Sequence, residues 1–165
     1  MNRSDDGTLA PPFPPVAAPI PPLVPAGASD LADVEALLRA AGLTIDGLGA
    51  CVADRSVVIC REHGGCILGV AATERFGTTA LLRSVAVLEP ARGRGLGRAL
   101  VSRALADARA GGAREAWLLT ETAETFFAGL GWERADRSEA PAEIAASVEF
   151  ASACPASAIA MRRTL

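Results

Sequence analysis

Lysine, tyrosine and glutamine are absent from this sequence, and its basic side chains are arginines apart from one histidine. We interpret the three absences together as a bias of codon composition. The lack of lysine excludes a P-loop, whose Gly-Lys-Ser/Thr end uses a lysine to contact the bound phosphates. His63 is the single histidine, and the four cysteines contain no Cys-x-x-Cys pair, so no metal site is predicted.

Long apolar runs are also missing, although 50% of the residues are hydrophobic. No uninterrupted stretch approaches the ~20 residues that a membrane-spanning helix requires, so no membrane association is predicted. The net charge of -3 argues against nucleic acid as the main partner. Cys51, Cys60, Cys66 and Cys154 are interpreted as small buried side chains in a reducing compartment, which favours a cytoplasmic location.

Proline is concentrated in the N-terminal part of the chain. Segments 10–15 and 19–22 both contain Pro-Pro pairs, which cannot form a helix or the interior of a sheet. We therefore predict that residues 1–28 form a disordered tail and that residues 29–165 form one domain with a single core.

The first half of the predicted domain is expected to form a helix and then an antiparallel meander. Ser29 and Asp30 are predicted to cap a helix that ends at Gly42. A turn at residues 62–65 (EHGG) joins the first two strands of the meander. The predicted strands are Ser56–Arg61, Cys66–Phe76 and Ala80–Leu88.

A glycine-rich turn, RGRGLG at Arg92–Gly97, joins the third strand to a long helix. Glycine lets the backbone bend and approach a ligand, and the first N–H groups of a helix are unpaired. With the positive end of the helix dipole and several arginines, this turn is a predicted site for a phosphate or pyrophosphate. A Rossmann turn is excluded because the glycine spacing is wrong and no clear acidic residue follows about 20 residues later.

The second half of the predicted domain continues with strands on either side of a short helix. Gly111 and Gly112 end the long helix, and Glu115–Thr120 is the next strand. Because a helix connects it to the strand that ends at Leu88, these two strands should be parallel. Ala158–Arg163 is the predicted final strand.

Two motifs, in this order, resemble signatures of the GNAT family of acyl-CoA-dependent N-acetyltransferases. Arg92–Gly97 resembles Gln/Arg-x-x-Gly-x-Gly/Ala, and AETFFAGLGW at Ala123–Trp132 resembles Ala-x-x-Phe-Tyr-x-x-x-Gly-Phe. The resemblance implies an α/β (α+β) fold with a central mixed, mostly antiparallel sheet flanked by helices. It also implies a parallel strand pair around the acetyl-CoA site.

The resemblance implies that acetyl-CoA is the co-substrate and assigns residues to it. The glycine-rich turn should bind the pyrophosphate, and the backbone of residues 85–87 should pair with the pantetheine arm like an added strand. The short helix after Ala123 should pack beside the CoA. The residues assigned to acetyl-CoA are Val85, Ala86, Val87, Arg92, Gly93, Arg94, Gly95, Leu96, Gly97, Arg98 and Phe127.

Acetyl transfer to an amine needs a group that removes a proton from the ammonium. Glu74 is the candidate base, and it should neighbour Arg83 across a hairpin. Arg83 would then bind a carboxylate of the acceptor, or the two residues form an ordinary salt bridge. Ser84 and Thr120 are also assigned to the acceptor site. Phe127 stands where many members have a tyrosine that protonates the departing thiolate. The thiolate then leaves unassisted, or receives its proton from water, Ser157 or Cys154.

Residues 80–87, 118–120 and 154–158 resemble the small acetyltransferases of bacterial arsenic-resistance operons. Relatives of that group acetylate amino acids of the arsinothricin or phosphinothricin type. The resemblance thus implies acetylation of a small amino-acid-like amine, with a role in arsenic or xenobiotic detoxification. A non-catalytic acetyl-CoA-binding regulator and an enzyme acting on a protein N-terminus or a polyamine are the alternatives. A homodimer is left open, because family members often form dimers.

Overall fold

A seven-stranded sheet with helices on both faces runs through the part of the chain that the computed structural model describes, residues 19–165. The strands are β1 (Leu23–Pro25), β2 (Val57–Arg61), β3 (Ile67–Phe76), β4 (Thr79–Val87), β5 (Glu115–Thr120), β6 (Glu133–Ala135) and β7 (Ile159–Thr164). The α-helices are α1 (Leu31–Ala40), α2 (Leu48–Ala53), α3 (Leu96–Ala110), α4 (Glu124–Ala128) and α5 (Ala142–Ala145). A π-helical turn, Glu149–Ala153, precedes β7.

The strand order across the sheet is β1-β2-β3-β4-β5-β7-β6. Neighbouring strands within residues 19–165 are antiparallel, except that β4 and β5 are parallel. The parallel pair arises because α3 carries the chain from the end of β4 back to the start of β5. The predicted mixed, mostly antiparallel sheet is thus confirmed, and so are the strands predicted from residue 56 onward, whose ends differ by no more than one residue.

Strand β2 shows why the sheet needs a helical layer on each face. Val58 and Cys60 pack with α3, whereas Val57 and Ile59 pack with α1 and α2. All four side chains are buried, because successive residues of a strand point to opposite faces. The stripe of α3 that covers the first face contains Leu96, Leu100, Val101, Ala104, Leu105 and Ala108.

The parallel pair β4–β5 separates soon after it begins. Within residues 19–165 the two strands pair from Thr79–Leu81 to Glu115–Trp117 and no further. Beyond these residues β4 continues to Val87 and β5 to Thr120. In this stretch the edge of β4 that faces β5, and the edge of β5 that faces β4, have no partner strand. Such a splay leaves backbone N–H and C=O groups of β4 free to bind a ligand.

The sheet begins earlier in the chain than predicted. Leu23–Pro25, which fell in the predicted tail, pairs with β2, and Ala26 is 3% exposed. Asp30 is the N-cap residue of α1, as predicted, but its side chain makes no capping hydrogen bond. Its carboxylate instead accepts the Gly27 N–H at 2.8 Å and pairs with Arg61. Residues 1–18 of the predicted tail lie outside the described residues.

Candidate active site

A cavity of about 930 Å³ opens where β4 and β5 separate. Its walls come from the ends of both strands, the start of α3, α4 and the π-helical turn, together with Leu43 and Thr44 of the α1–α2 connector. Glu74 and Arg94 do not line it. The other residues predicted for the site all do: Arg83, Ser84, Val85, Ala86, Val87, Arg92, Gly93, Gly95, Leu96, Gly97, Arg98, Thr120 and Phe127.

The glycine-rich turn forms the end of the cavity next to α3. Gly93 and Gly95 have φ angles of 73° and 81°, which side chains strongly disfavour, and Gly95 is the last residue before α3. Leu96 and Gly97 of the first helical turn also line the cavity. The first N–H groups of a helix have no partner within it and lie at the positive end of its dipole, so this end can hold an anion.

The three arginines around this turn take different positions. Arg92 and Arg98 are exposed side chains that line the cavity, and the Arg92 Nε–H donates to the Val87 carbonyl at 2.9 Å. Arg94 lines a separate small depression with Ile20 and Pro21. The structure therefore brings two of the three predicted cations to the anion-binding end of the cavity.

A β-bulge in β4 lies beside the cavity. The register between β3 and β4 shifts between Val70 and Ala72, and Ser84 opposite the shift has a φ of 54°. A positive φ on a residue other than glycine is strained, and such strain clusters at functional sites. The Ser84 hydroxyl is buried and has no hydrogen-bond partner among residues 19–165. Ser84 itself lines the cavity.

A buried ion cluster lies at the other end of the cavity, and we call Glu74, Arg83 and Glu149 the Arg83 cluster. The Arg83 side chain is 2% exposed; its Nη1 contacts the Glu74 carboxylate and its Nη2 lies 2.9 Å from Glu149 Oε1. Nη2 also donates to the Asp46 carbonyl. The predicted proximity of Glu74 and Arg83 is thus confirmed, and Glu149 provides a second carboxylate that contacts Arg83.

Sequence reasoning missed Glu149 as a site residue. It belongs to the π-helical turn and reaches Arg83 only because the chain folds back over β4 before entering β7. The residue is 6% exposed and lines the cavity. A signal was available: Glu149 is a lone charge between Val148 and Phe150, and a charge in an apolar setting is buried only when it is paired.

Thr120 and Phe127 connect the cavity to α4. The Thr120 Oγ1 accepts the Ala123 N–H at 3.0 Å and so fixes the chain entering the helix. Phe127 is 6% exposed, and its ring packs edge-to-face against Phe126 and Trp132 with centroid distances of 5.0 and 5.9 Å. Phe127 is therefore an apolar wall residue that cannot donate a proton.

The cysteines are expected to differ sharply in reactivity. Burial and the hydrogen bond to Glu149 raise the pKa of the Cys154 thiol to about 12, and burial and the charge of Glu74 raise that of Cys51 to about 11. Because the thiolate is the nucleophile, a raised thiol pKa makes Cys154 unreactive near neutral pH. Cys66 is exposed, so iodoacetamide should alkylate it first, by about 100-fold or more. Timed peptide mass spectrometry measures this order, and equally fast labelling of Cys154 would contradict it.

Within residues 19–165, none of the helices combines the length and the apolar character that crossing a bilayer requires. The same residues contain no group of three or more His, Cys, Asp or Glu side chains placed to hold a metal ion.

Comparisons with known proteins point to one family. The sequence profile described as "Acetyltransferase (GNAT) family" matches residues 34–132, which is more than half of the chain. That range includes β2 to β5, α3 and α4, and hence most of the cavity wall. No curated protein sequence matches the chain.

Solved structures share the fold at low sequence identity. N-acetylglutamate synthase from Neisseria gonorrhoeae, complexed with coenzyme A and N-acetyl-glutamate, has a TM-score of 0.74 and 20% identity over 87% of this chain. The chain spans 35% of the synthase. A complex of the same synthase with coenzyme A and L-arginine has a TM-score of 0.74, 20% identity, and coverage of 88% of this chain and 33% of the synthase. Rv2747 from Mycobacterium tuberculosis, in complex with CoA and NLQ, has a TM-score of 0.73 and 22% identity, with 88% of this chain and 99% of that one covered.

Proposed function

Because the chain belongs to the acetyltransferase (GNAT) family of N-acetyltransferases, we propose that it transfers the acetyl group of acetyl-CoA to the primary amine of a small amino-acid-like molecule. The observation that carries this proposal is the continuous cavity between β4 and β5. It runs from a helix N-terminus that can hold an anion, past an unpaired strand edge, to the buried carboxylate of Glu149. These features match an anionic cofactor at one end and an ammonium group at the other.

The cavity residues fit acetyl-CoA. The N–H groups at the start of α3, with Arg92 and Arg98, would hold the pyrophosphate. The edge of Val85–Val87 that faces β5 has no partner strand and would hold the pantetheine arm as a strand is held, and Phe127 would exclude water beside it. When bound, acetyl-CoA supplies an activated acetyl thioester.

The acceptor end favours a small molecule that carries a primary amine. Leu43, Thr44 and Thr120 give it a mixed apolar and hydroxyl wall, and Glu149 provides negative charge. The gonococcal synthase was solved with N-acetyl-glutamate and with L-arginine, which supports an amino-acid-like acceptor. The motifs at residues 80–87, 118–120 and 154–158 motivate the narrower proposal of a toxic arsenic- or phosphorus-containing amino acid.

Phe127 favours a second candidate function, a regulator that binds acetyl-CoA without turnover. The ring fills the place of the tyrosine that protonates the thiolate in many members, and it is buried among aromatic side chains. Such a protein would bind acetyl-CoA and release no thiol.

The test is thiol release from acetyl-CoA with five amines: phosphinothricin, arsinothricin, glutamate, spermidine and a short peptide. We expect saturable release with the first two or with glutamate, and N-acetylated product by mass spectrometry. Release with spermidine or the peptide alone would replace the proposed acceptor with a polyamine or a protein N-terminus. Acetyl-CoA binding by calorimetry without release for any amine would favour the regulator.

A further inference from the structure

The two carboxylates of the Arg83 cluster occupy different positions relative to the cavity. Glu149 lines it together with Arg83, Ser84 and Cys154, whereas Glu74 contacts the same guanidinium and does not line the cavity. A base must come within hydrogen-bond reach of the proton that it removes, directly or through one water. Glu149 and Glu74 both contact Arg83, but only Glu149 is placed to reach a proton of a molecule in the cavity.

The charge of the cluster is unbalanced. Glu74 and Glu149 carry two negative charges against the single positive charge of Arg83. One excess negative charge is left in a mostly buried setting, where electrostatic interactions are stronger than in water. The cavity-facing member of the cluster is thus suited to receive a cation, and an acceptor amine arrives as one at neutral pH.

We propose that Glu149, rather than Glu74, receives the acceptor ammonium and removes its proton, and that Arg83 is the positioning residue that holds Glu149 in place. This inference rests on the proposed function. An N–H bond of the ammonium breaks and an O–H bond forms on Glu149, which leaves a neutral amine. The amine forms its bond to the acetyl carbon as the C–S bond breaks, and the thiolate takes the second amine proton. Glu149 then returns its proton to water.

The same geometry constrains how an amino-acid acceptor lies in the site. Both Nη atoms of Arg83 already contact groups of the chain, namely Glu74, Glu149 and the Asp46 carbonyl. The remaining nitrogen, Nε, has no hydrogen-bond partner within residues 19–165 but is buried, so a substrate carboxylate would have to displace one of these groups or reach a buried atom. The amine end of the acceptor should therefore point to the Arg83 cluster, and its carboxylate should point away from it.

The neighbours of Glu149 define how its role can be read from a pH profile. Cys154 Sγ donates to Glu149 Oε2 at 3.1 Å, and its raised pKa keeps it a neutral thiol between pH 6 and 10. Changes across that range therefore do not come from the thiol that touches Glu149. Glu149 and Cys154 contact each other, and four other charged groups lie around this pair. They are Arg83 on β4, Glu74 on β3, Glu121 after β5 and Arg137 before α5.

Glu149→Gln and Glu74→Gln form a matched pair, because each removes one carboxylate from the same guanidinium. With the amine that the unmodified chain acetylates best, Glu149→Gln should lower kcat/KM at pH 7 by about 100-fold or more. Glu74→Gln should lower it by less than about 10-fold, because it changes only the charge next to Glu149. Glu149→Asp keeps the negative charge but moves the carboxylate back from the cavity, because the side chain is one methylene shorter. Its kcat/KM should fall between those of Glu149→Gln and Glu74→Gln.

The pH dependence distinguishes a base from a structural residue. A base is needed only while the acceptor is protonated, so the deficit of Glu149→Gln should shrink about tenfold per pH unit up to the amine pKa. A deficit that stays constant with pH would overturn the proposal. Iodoacetamide labelling gives a readout without turnover: Cys154 should react about tenfold faster in Glu149→Gln than in Glu74→Gln, because it loses its carboxylate partner.

Failure of this inference differs from failure of the proposed function. If the unmodified chain releases thiol and both Gln variants lose equal activity, the proposed function stands and the assignment to Glu149 is overturned. A larger loss in Glu74→Gln would assign the base to Glu74, as the sequence alone suggests. If the unmodified chain binds acetyl-CoA and releases no thiol with any amine, the proposed function fails and this inference fails with it.

Discussion

Replacing Gly95 by tryptophan is expected to weaken acetyl-CoA binding by about 100-fold or more, equivalent to about 2.8 kcal/mol. Gly95 lines the cavity directly before α3, where the pyrophosphate is proposed to bind. A large side chain there would occupy the approach to the helix N–H groups. Its φ of 81° adds about 1–2 kcal/mol of strain, which the fold should survive. Isothermal titration calorimetry measures the dissociation constant, and the melting temperature shows that the variant is folded.

Gly64→Trp provides the matched control for this experiment. Gly64 lies in the exposed turn between β2 and β3, and a Cβ at this position meets nothing within 4 Å. Acetyl-CoA affinity should therefore stay within about twofold of the unmodified chain. Equal affinities for the two tryptophan variants would remove the glycine-rich turn from the binding site.

Replacing Arg83 by methionine is expected to lower the free energy of unfolding by about 3–5 kcal/mol. Without the guanidinium, Glu149 and Glu74 remain close together with no cation between them, and Glu149 is almost fully buried. For a domain of this size each kcal/mol lowers the melting temperature by about 2–4 °C, so a fall of about 6–20 °C follows. Differential scanning calorimetry measures it.

Arg103→Met is the control for this second experiment. Arg103 pairs with Asp107 one turn later on α3, and both side chains are more than 40% exposed. Exposed pairs of this kind contribute about 0.5 kcal/mol or less. Removing the carboxylates as well, in Arg83→Met/Glu74→Gln/Glu149→Gln, should recover much of the stability lost in Arg83→Met, because no unpaired charge remains. If Arg83→Met melts like Arg103→Met, the cluster is not stabilised by Arg83.

The half of the cavity formed by the glycine-rich turn was predictable because its signals are local in the sequence. Pro90 marks the end of a strand, the glycines of Arg92–Gly97 mark a turn, and helical spacing follows at once. Each signal depends on residues a few positions apart, and the structure places the turn accordingly. Arg94 lines a separate depression, because sequence alone does not say which way a turn side chain points, and its assignment to acetyl-CoA stays a prediction.

The half of the cavity next to the Arg83 cluster was less predictable because long-range folding assembles it. Glu74 and Arg83 share a hairpin, so their proximity follows from strand register. Glu149 lies in a π-helical turn, which no periodic pattern of apolar residues in the sequence predicts. Its contact with Arg83 depends on how that turn packs across β4. Strand β1 was missed for another reason. Its high proline content favours a disordered tail, but proline is tolerated in a strand at the edge of a sheet, and β1 is such a strand.

The proline-rich segment has a consequence for how copies of this chain meet. Within residues 19–165, strand β1 is one of the two edge strands of the sheet, and an exposed edge is a template on which another chain can add a strand. Pro19, Pro21, Pro22 and Pro25 have no N–H to offer, and β1 is only three residues long. Behind β1 lies β2, whose Val57–Cys60 run is apolar and fully buried. The prolines thus disfavour strand addition at the β1 edge, so any dimer of this chain is expected to form through another surface.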